Sequence, residues 1–266
     1  MYRAGTDNYK QIDYIVTDKD SVLMSVDGNE LLMDYLRDTR EYKLYDENRN
    51  KLDIILDEEN EGHFLIDDER FFGRLELIPI DNDGEQIMCI DLFDEKLLFR
   101  MRDDGVKFIN PYGIDISMDK VPSFGFKGHL RAGSARAYIW SRTIPLLKNH
   151  LIIGSGADTF LLEFPQNDYA GKFSSGTPFT ILFDKAHNLY LMMFVCTGGI
   201  SCISFIIMII MFLCAVAKSN TKDFLVRAIA AGIIGFCAAG LFNDSTVCTM
   251  PMFYGLLGIG SALLDQ

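Results

Sequence analysis

Apolar and polar side chains alternate in short runs over the first 120 residues, where "YKLYD", "LDIIL", "RLELIPI" and "LLFRMR" are separated by clusters of Asp, Asn and Gly. A period of two bounded by turn residues predicts β-strands, because successive strand residues point to opposite faces and only one face meets a core. An internal echo aligns "LLMDYLRDTREYKLYDENRNKLDI" at 31–54 with "LLFRMRDDGVKFINPYGIDI" at 97–116, matching Arg37-Asp38 to Arg102-Asp103 and Asp53-Ile54 to Asp115-Ile116. Two related hairpin units are expected, within an all-β module of sandwich or jelly-roll-like type over residues 1–122. From residue 123 the pattern changes. Ser134 is placed to cap a helix running through Trp140 toward Leu147, which Pro145 interrupts. Asp158 is placed to cap a second short helix, "TFLLEF", that Pro165 ends.

Farther on the periodicity gives way to unbroken apolar stretches. Residues 189–217 contain no Asp, Glu, Lys or Arg, and exceed the ~20 apolar residues that cross a hydrocarbon core. Residues 224–242 hold one charge, Arg227, and 245–264 hold none. Three transmembrane helices (189–217, 224–242 and 245–264) are therefore expected within 188–266, with 123–187 forming an outer loop that carries short helices. Lys218, Lys222 and Arg227 in the connection "AKSNTKDFLVR" predict a cytoplasmic loop, which places residues 1–187 outside. The amino end, "MYRAGTDNYKQIDY", lacks the apolar core of a secretion signal. The expectation is accordingly the carboxy-terminal part of a longer multi-pass α-helical membrane protein. Gly232, Gly235 and Gly240 would let its second span approach neighbouring helices closely.

Charge narrows the partners. Residues 1–150 hold 30 of the 37 acidic and 20 of the 25 basic side chains, a net of 20 − 30 = −10, so nucleic acid is excluded as a natural partner. Cys196, Cys202, Cys214, Cys237 and Cys248 fall in or beside the apolar stretches and Cys89 stands alone, with neither a disulfide framework nor zinc spacing. His63 and its neighbouring carboxylates have no ligand-like spacing, so no metal site is expected.

Candidate chemistry gathers between the strands and the apolar stretches. Arg131, Arg136 and Arg142 lie within twelve residues, followed by Lys148, Lys172 and Lys185. Arg136 and Trp140, four apart, share a helix face, so a guanidinium stacked on the indole could fork toward a phosphate. A packing helix with ordinary ion pairs is the plainer alternative. In "DKAHNLYLMM", His187 is suited to accept a proton from a hydroxyl at neutral pH, and Asn188 is suited to cap the helix that follows. The alternative for His187 is an interfacial polar residue without chemistry. Asp244 could orient an imidazole or an acceptor sugar, or simply end its helix.

Taken in order, "SARAYIWSRTIPLL", "LIIGSGADTF", "FPQNDYAGK", "DKAHNLYL" with the following "TGG", and "NDSTVCTMPMFYGLLGIG" resemble the carboxy-terminal half of the O-antigen ligase and polymerase family (WaaL and Wzy types) over residues 123–266. The resemblance implies a glycosyltransferase-C-like membrane fold on the bacterial cytoplasmic membrane, with the β-rich part as an extracytoplasmic insertion. It implies metal-independent, inverting transfer of a glycan from undecaprenyl pyrophosphate to an acceptor hydroxyl of a glycan or glycolipid on the outer membrane face, with no cofactor. The family's loop arginine matches Arg136 and its histidine matches His187, while its arginine on an earlier outer loop has no counterpart here. Where the family often has Gly before the arginine and Pro before the histidine, this chain has Ala135 and Ala186. Arg131, Trp140, Arg142, Lys185, Asn188 and Asp244 are the expected substrate contacts. Other classes consistent with the sequence are a membrane-tethered glycan-binding or adhesion protein and an inactive truncated fragment.

Overall fold

The computed structural model describes residues 11–58, 60–72, 75–82, 84–92, 95–219, 223–246 and 248–264. The first ten residues of the amino end and Lys222 of the basic connection lie outside the described residues. The chain divides into two compact units: Met1–Val121 with Gly128–Arg131 and Asn167–Ile181, and Pro122–Lys127 with Ala132–Gln166 and Leu182–Gln266.

In the first unit the alternating runs become antiparallel strands. β1 (Ile12–Thr17), β2 (Ser21–Val26), β3 (Asn29–Leu36), β4 (Glu41–Asp46) and β5 (Lys51–Leu52) form one sheet in chain order. β6 (Ile54–Leu56), β7 (Phe64–Ile66), β8 (Leu75–Asn82), β9 (Glu85–Leu92), β10 (Glu95–Arg102), β11 (Gly105–Ile109) and β12 (Asp115–Ile116) form a second, again in chain order. Local turn chemistry sets the pairings: Asp27 and Gly28 both take positive φ, 51° and 84°, between the paired Val26 and Asn29. That is the backbone a two-residue hairpin loop requires and Asp-Gly readily adopts. Alternate residues Val22, Met24, Leu31, Met33, Leu75, Leu77, Leu97 and Phe99 turn inward and join one core shared by both sheets. The echoing stretches both fold as three successive strands, β3 to β5 and β10 to β12. Their arginines differ in partner: Arg102 binds Asp115 at 2.8 Å, whereas Arg37 binds Asp20.

A helix from the later chain, α3 (Tyr169–Ser175), completes this unit. Asp168 caps it by accepting from the Gly171 amide. Ser174 Oγ donates to the Ile12 carbonyl at 2.7 Å and accepts from the Ile12 amide at 2.8 Å, so one hydroxyl satisfies the end of β1. The Tyr169 ring lies 4.8 Å from that of Phe108. Lys172 is buried, donates to the Phe179 carbonyl at 3.2 Å, and has its ammonium pushed below the ordinary lysine range by burial.

The second unit is helical: α1 (Arg136–Thr143), a 3₁₀ turn over Ile144–Asn149, α2 (Phe160–Glu163), α4 (Leu189–Thr197), α5 (Gly199–Ser219), α6 (Phe224–Ala239) and α7 (Thr249–Leu264). Leu189, Phe205, Ile209, Phe212, Ile229, Ile233, Phe253 and Leu257 pack α4, α5, α6 and α7 together. Gly260 admits Phe212, because a Cβ there would lie 2.8 Å from its ring. A Cβ on Gly232 or Gly235 would meet nothing within 4 Å among the described residues, so they are not close-approach points there; Gly240 is one, against Leu189.

The fold corrects the expected class on two counts. The chain is not a multi-pass helical membrane protein of glycosyltransferase-C-like form: among the described residues only α5, with 21 residues, is long and apolar enough to cross a membrane. The expected span 189–217 is broken at Gly198, whose φ of 96° ends α4. At 1.5 Å per residue, α6 and α7, 16 residues each, reach about 24 Å, short of the ~30 Å hydrocarbon core. An apolar stretch counts residues, whereas a crossing needs continuous helix. The β-rich part is also no jelly roll, because its sheets run in strict chain order among the described strands and a jelly roll needs Greek-key crossovers.

Candidate functional site

The second unit gathers a histidine, a carboxylate and an arginine around the turn that follows α6. Its frame begins at the start of α1, where Gly133, Ser134 and Ala135 are all left-handed, with φ of 63°, 57° and 64°. Ser134 does not cap the helix; Ala135 holds the cap position and makes no side-chain bond. The reversal points Arg136 toward the turn after α6: its Nε donates to the Phe242 carbonyl at 3.1 Å and its Nη1 to the Gly133 carbonyl at 3.0 Å. Among the described residues no carboxylate pairs with this guanidinium, which leaves its charge available to an anion.

Trp140, one turn along α1, donates from Nε1 to the Ala186 carbonyl at 2.9 Å and packs its ring 6.0 Å from that of Phe242. It thereby holds the residue just before His187. Asn188 caps α4 by accepting from the amides of Tyr190 and Leu191 at 3.0 and 2.9 Å, while its Nδ2 donates to the Leu241 carbonyl at 2.9 Å. The Leu189 amide reaches the Gly240 carbonyl at 2.8 Å. Two consecutive residues of one segment, Asn188 and Leu189, are thus tied to Leu241 and Gly240.

His187 sits in this corner with φ of 49°, a left-handed conformation that costs an L-residue about 1–2 kcal/mol. Strain of this kind persists where surrounding contacts impose it, and it concentrates at working sites. Its Nδ1 lies 3.0 Å from Asp244 Oδ2. Asp244 is 12% exposed and His187 45%, so the carboxylate is sheltered while the imidazole meets solvent. A carboxylate at this distance favours an imidazole that carries its proton on Nδ1, which would leave Nε2 as the basic nitrogen. The second Asp244 oxygen, Oδ1, is buried without a hydrogen-bond partner among the described residues.

The other expected contacts fall elsewhere. Arg131 belongs to the first unit, where its Nε donates to the Ser174 carbonyl at 3.3 Å and it lines a cavity of about 540 Å³ with Glu95, Phe173 and Phe179. Arg142 is buried within α1, over the Tyr138 ring at 5.4 Å, with Nη1 donating to Ser141 Oγ. Lys185 is exposed and engages no side chain among the described residues. Asp158 does not cap α2, which Thr159 begins without a side-chain bond.

A second constructed feature of this unit joins two stretches far apart in sequence. The Ser155 and Gly156 amides donate to the Val195 and Cys196 carbonyls and the Gly199 amide to His150, all at 2.9 Å. Cβ atoms placed on Gly154, Gly198 or Gly199 would meet opposing backbone at 2.3–2.5 Å. The glycine pairs of "GSG" and "TGG" are the visible sequence signal of this contact.

No protein-family model, curated protein or solved structure matches the chain.

Proposed function

We propose that this chain transfers a glycan from a polyprenyl pyrophosphate, of the undecaprenyl kind, to an acceptor hydroxyl at the outer face of the cytoplasmic membrane. The observation that carries the proposal is the pairing of His187 with Asp244 on the same turn that anchors Arg136. In this reading Nε2 of His187 takes the proton from the incoming hydroxyl, and Asp244 stabilises the imidazolium that forms. Arg136 receives the negative charge that gathers on the departing pyrophosphate, an effect worth about 2.7–4 kcal/mol for one well-placed donor. Attack opposite the leaving group inverts the anomeric carbon. The bond to the sugar breaks toward a phosphate already carrying the energy of transfer, so no nucleotide is consumed.

The reading is also supported by α5, along which Ile200, Ile203, Ile207, Ile210 and Met211 are exposed. A continuous apolar surface of this kind calls for lipid or a protein cover. A lipid boundary suits a donor whose tail is in hydrocarbon and whose reacting carbon is in water.

The test is glycan transfer in membranes containing the protein and a lipid-linked oligosaccharide. His187→Ala is expected to reduce transfer by about 10²–10⁴-fold, the usual contribution of a positioned base. Arg136→Lys, which retains charge but not the planar fork, is expected to weaken donor use. Undiminished transfer by a folded His187→Ala protein overturns the assignment; saturable glycan binding by the wild type without any transfer favours a binding protein instead.

A further inference from the structure

We infer that the first unit carries a binding site for one divalent transition-metal ion, with Asp57, His63 and Glu76 as its ligands. The three acceptor atoms, one from each side chain, lie within 4.8 Å of one another, and His63 Nδ1 is 2.9 Å from Glu76 Oε2. Strand register brings them together. β6 pairs with β7 through Leu56 and Phe64, and the ladder continues as the Asp57 amide donates to the His63 carbonyl at 2.9 Å. β7 pairs with β8 through Leu65 and Glu76. Phe64 and Leu77 pack on the core, so their chain neighbours His63 and Glu76 project from the opposite face, and Asp57 shares that face by the same alternation.

The donor set selects the ion. One imidazole nitrogen and two carboxylates suit zinc or manganese, whereas magnesium and calcium favour oxygen alone. Two carboxylates this near repel each other, and a dication relieves that repulsion on both. The chain's formal charge of −12 raises the local concentration of cations. Three protein ligands leave further positions for water or an incoming group. Asp57 directly follows β6, His63 directly precedes β7 and Glu76 lies in β8, so a bound ion would tie the end of β6, a three-residue edge strand, to the longer β8. The site lies outside the group proposed for glycan transfer and does not depend on that proposal.

The experiment uses the full chain and manganese, chosen because exposed Cys214 and Cys248 would capture zinc. Substoichiometric Mn²⁺ is expected to broaden the imidazole signals of His63 before those of the other three histidines, and Zn²⁺ to compete for the same site. His63→Ala, Glu76→Gln and Asp57→Asn should each weaken Mn²⁺ binding about tenfold or more, since even partners behind a ligand contribute that much. Circular dichroism confirms that each variant is folded; Asp57→Asn, at the end of an edge strand, perturbs the sheet least. Equal broadening of all four histidines, or binding unchanged in the folded variants, overturns the inference.

Discussion

Replacing Gly154 by Ala adds one methyl group and tests whether the contact between residues 150–156 and the α4–α5 junction holds the helical unit together. The new Cβ would lie 2.3 Å from the Cys196 carbonyl carbon and oxygen and 2.4 Å from the Thr197 nitrogen. All three are backbone atoms, so no side chain can swing aside. The chain can accept the methyl only by straining or by parting the contact. Straining a packed interior costs about 1–3 kcal/mol. Parting it gives up the three amide bonds of Ser155, Gly156 and Gly199, at about 0.5–1.5 kcal/mol each, or about 1.5–4.5 kcal/mol. The smaller of the two costs prevails, so the expected loss is about 1–3 kcal/mol. Trp140, the sole tryptophan, belongs to this unit, so its fluorescence during thermal or denaturant unfolding follows the relevant transition. Gly232→Ala supplies the control: that glycine lies within α6 with nothing inside 4 Å, and Ala there should stabilise by up to about 1 kcal/mol. A Gly154→Ala protein within about 0.5 kcal/mol of wild type, or one shifted in the same direction as Gly232→Ala, would refute the steric argument.

Ala135→Gly relieves a left-handed alanine, worth about 1–2 kcal/mol, against a glycine entropy cost of about 0.5–1 kcal/mol; a small rise in the unfolding midpoint is expected, and a fall contradicts the backbone assignment. Trp140→Phe removes the donor to the Ala186 carbonyl, with an expected loss of about 0.5–1.5 kcal/mol by circular dichroism and reduced glycan transfer, since the loop before His187 loses its tether. The strand-rich unit should weaken in acid. Hydrogen bonds from Arg70 hold Asp68 below the ordinary aspartate range; burial would raise Asp115, but bonds from Arg102 and Arg100 outweigh it and hold it low as well. Both carboxyls bind protons less readily folded than unfolded, so their contribution is full above pH ~4 and is lost as pH falls through the folded values. Urea titrations from pH 6 to pH ~2.5 should show a shallower acid decline for Asp115→Asn than for wild type, and an identical decline would remove the pairing as its cause.

Strands are legible in this sequence because their signal is local. "LLFRMR" places Leu97 and Phe99 on one face, and both are buried in β10. Helix length is another matter: hydropathy passes through Gly198 and Gly199 unaltered, whereas the backbone turns there because residues 151–154 occupy the space beside it. In the site, His187 and Asn188 are readable from their position before an apolar run, and Arg136 with Trp140 from their spacing of four. Arg142 is misjudged by type alone, since six residues along a helix place it about 120° away from Arg136 and into the packing. Arg131 is misjudged because adjacency in chain does not reveal which unit a residue joins. Asp57, His63 and Glu76 follow no motif spacing at all. Only the register of three strands unites them.

The hydroxyl of Ser174 seals Ile12 from a point 162 residues farther along the chain. During synthesis each hairpin can zip with its immediate neighbour as it emerges, because the pairings follow chain order. The end of β1 and the Phe108 ring nonetheless wait for Tyr169–Ser175 to be made. A polypeptide stopped at Ile116 would own every strand yet expose that aromatic socket, inviting self-association before the missing helix could close it.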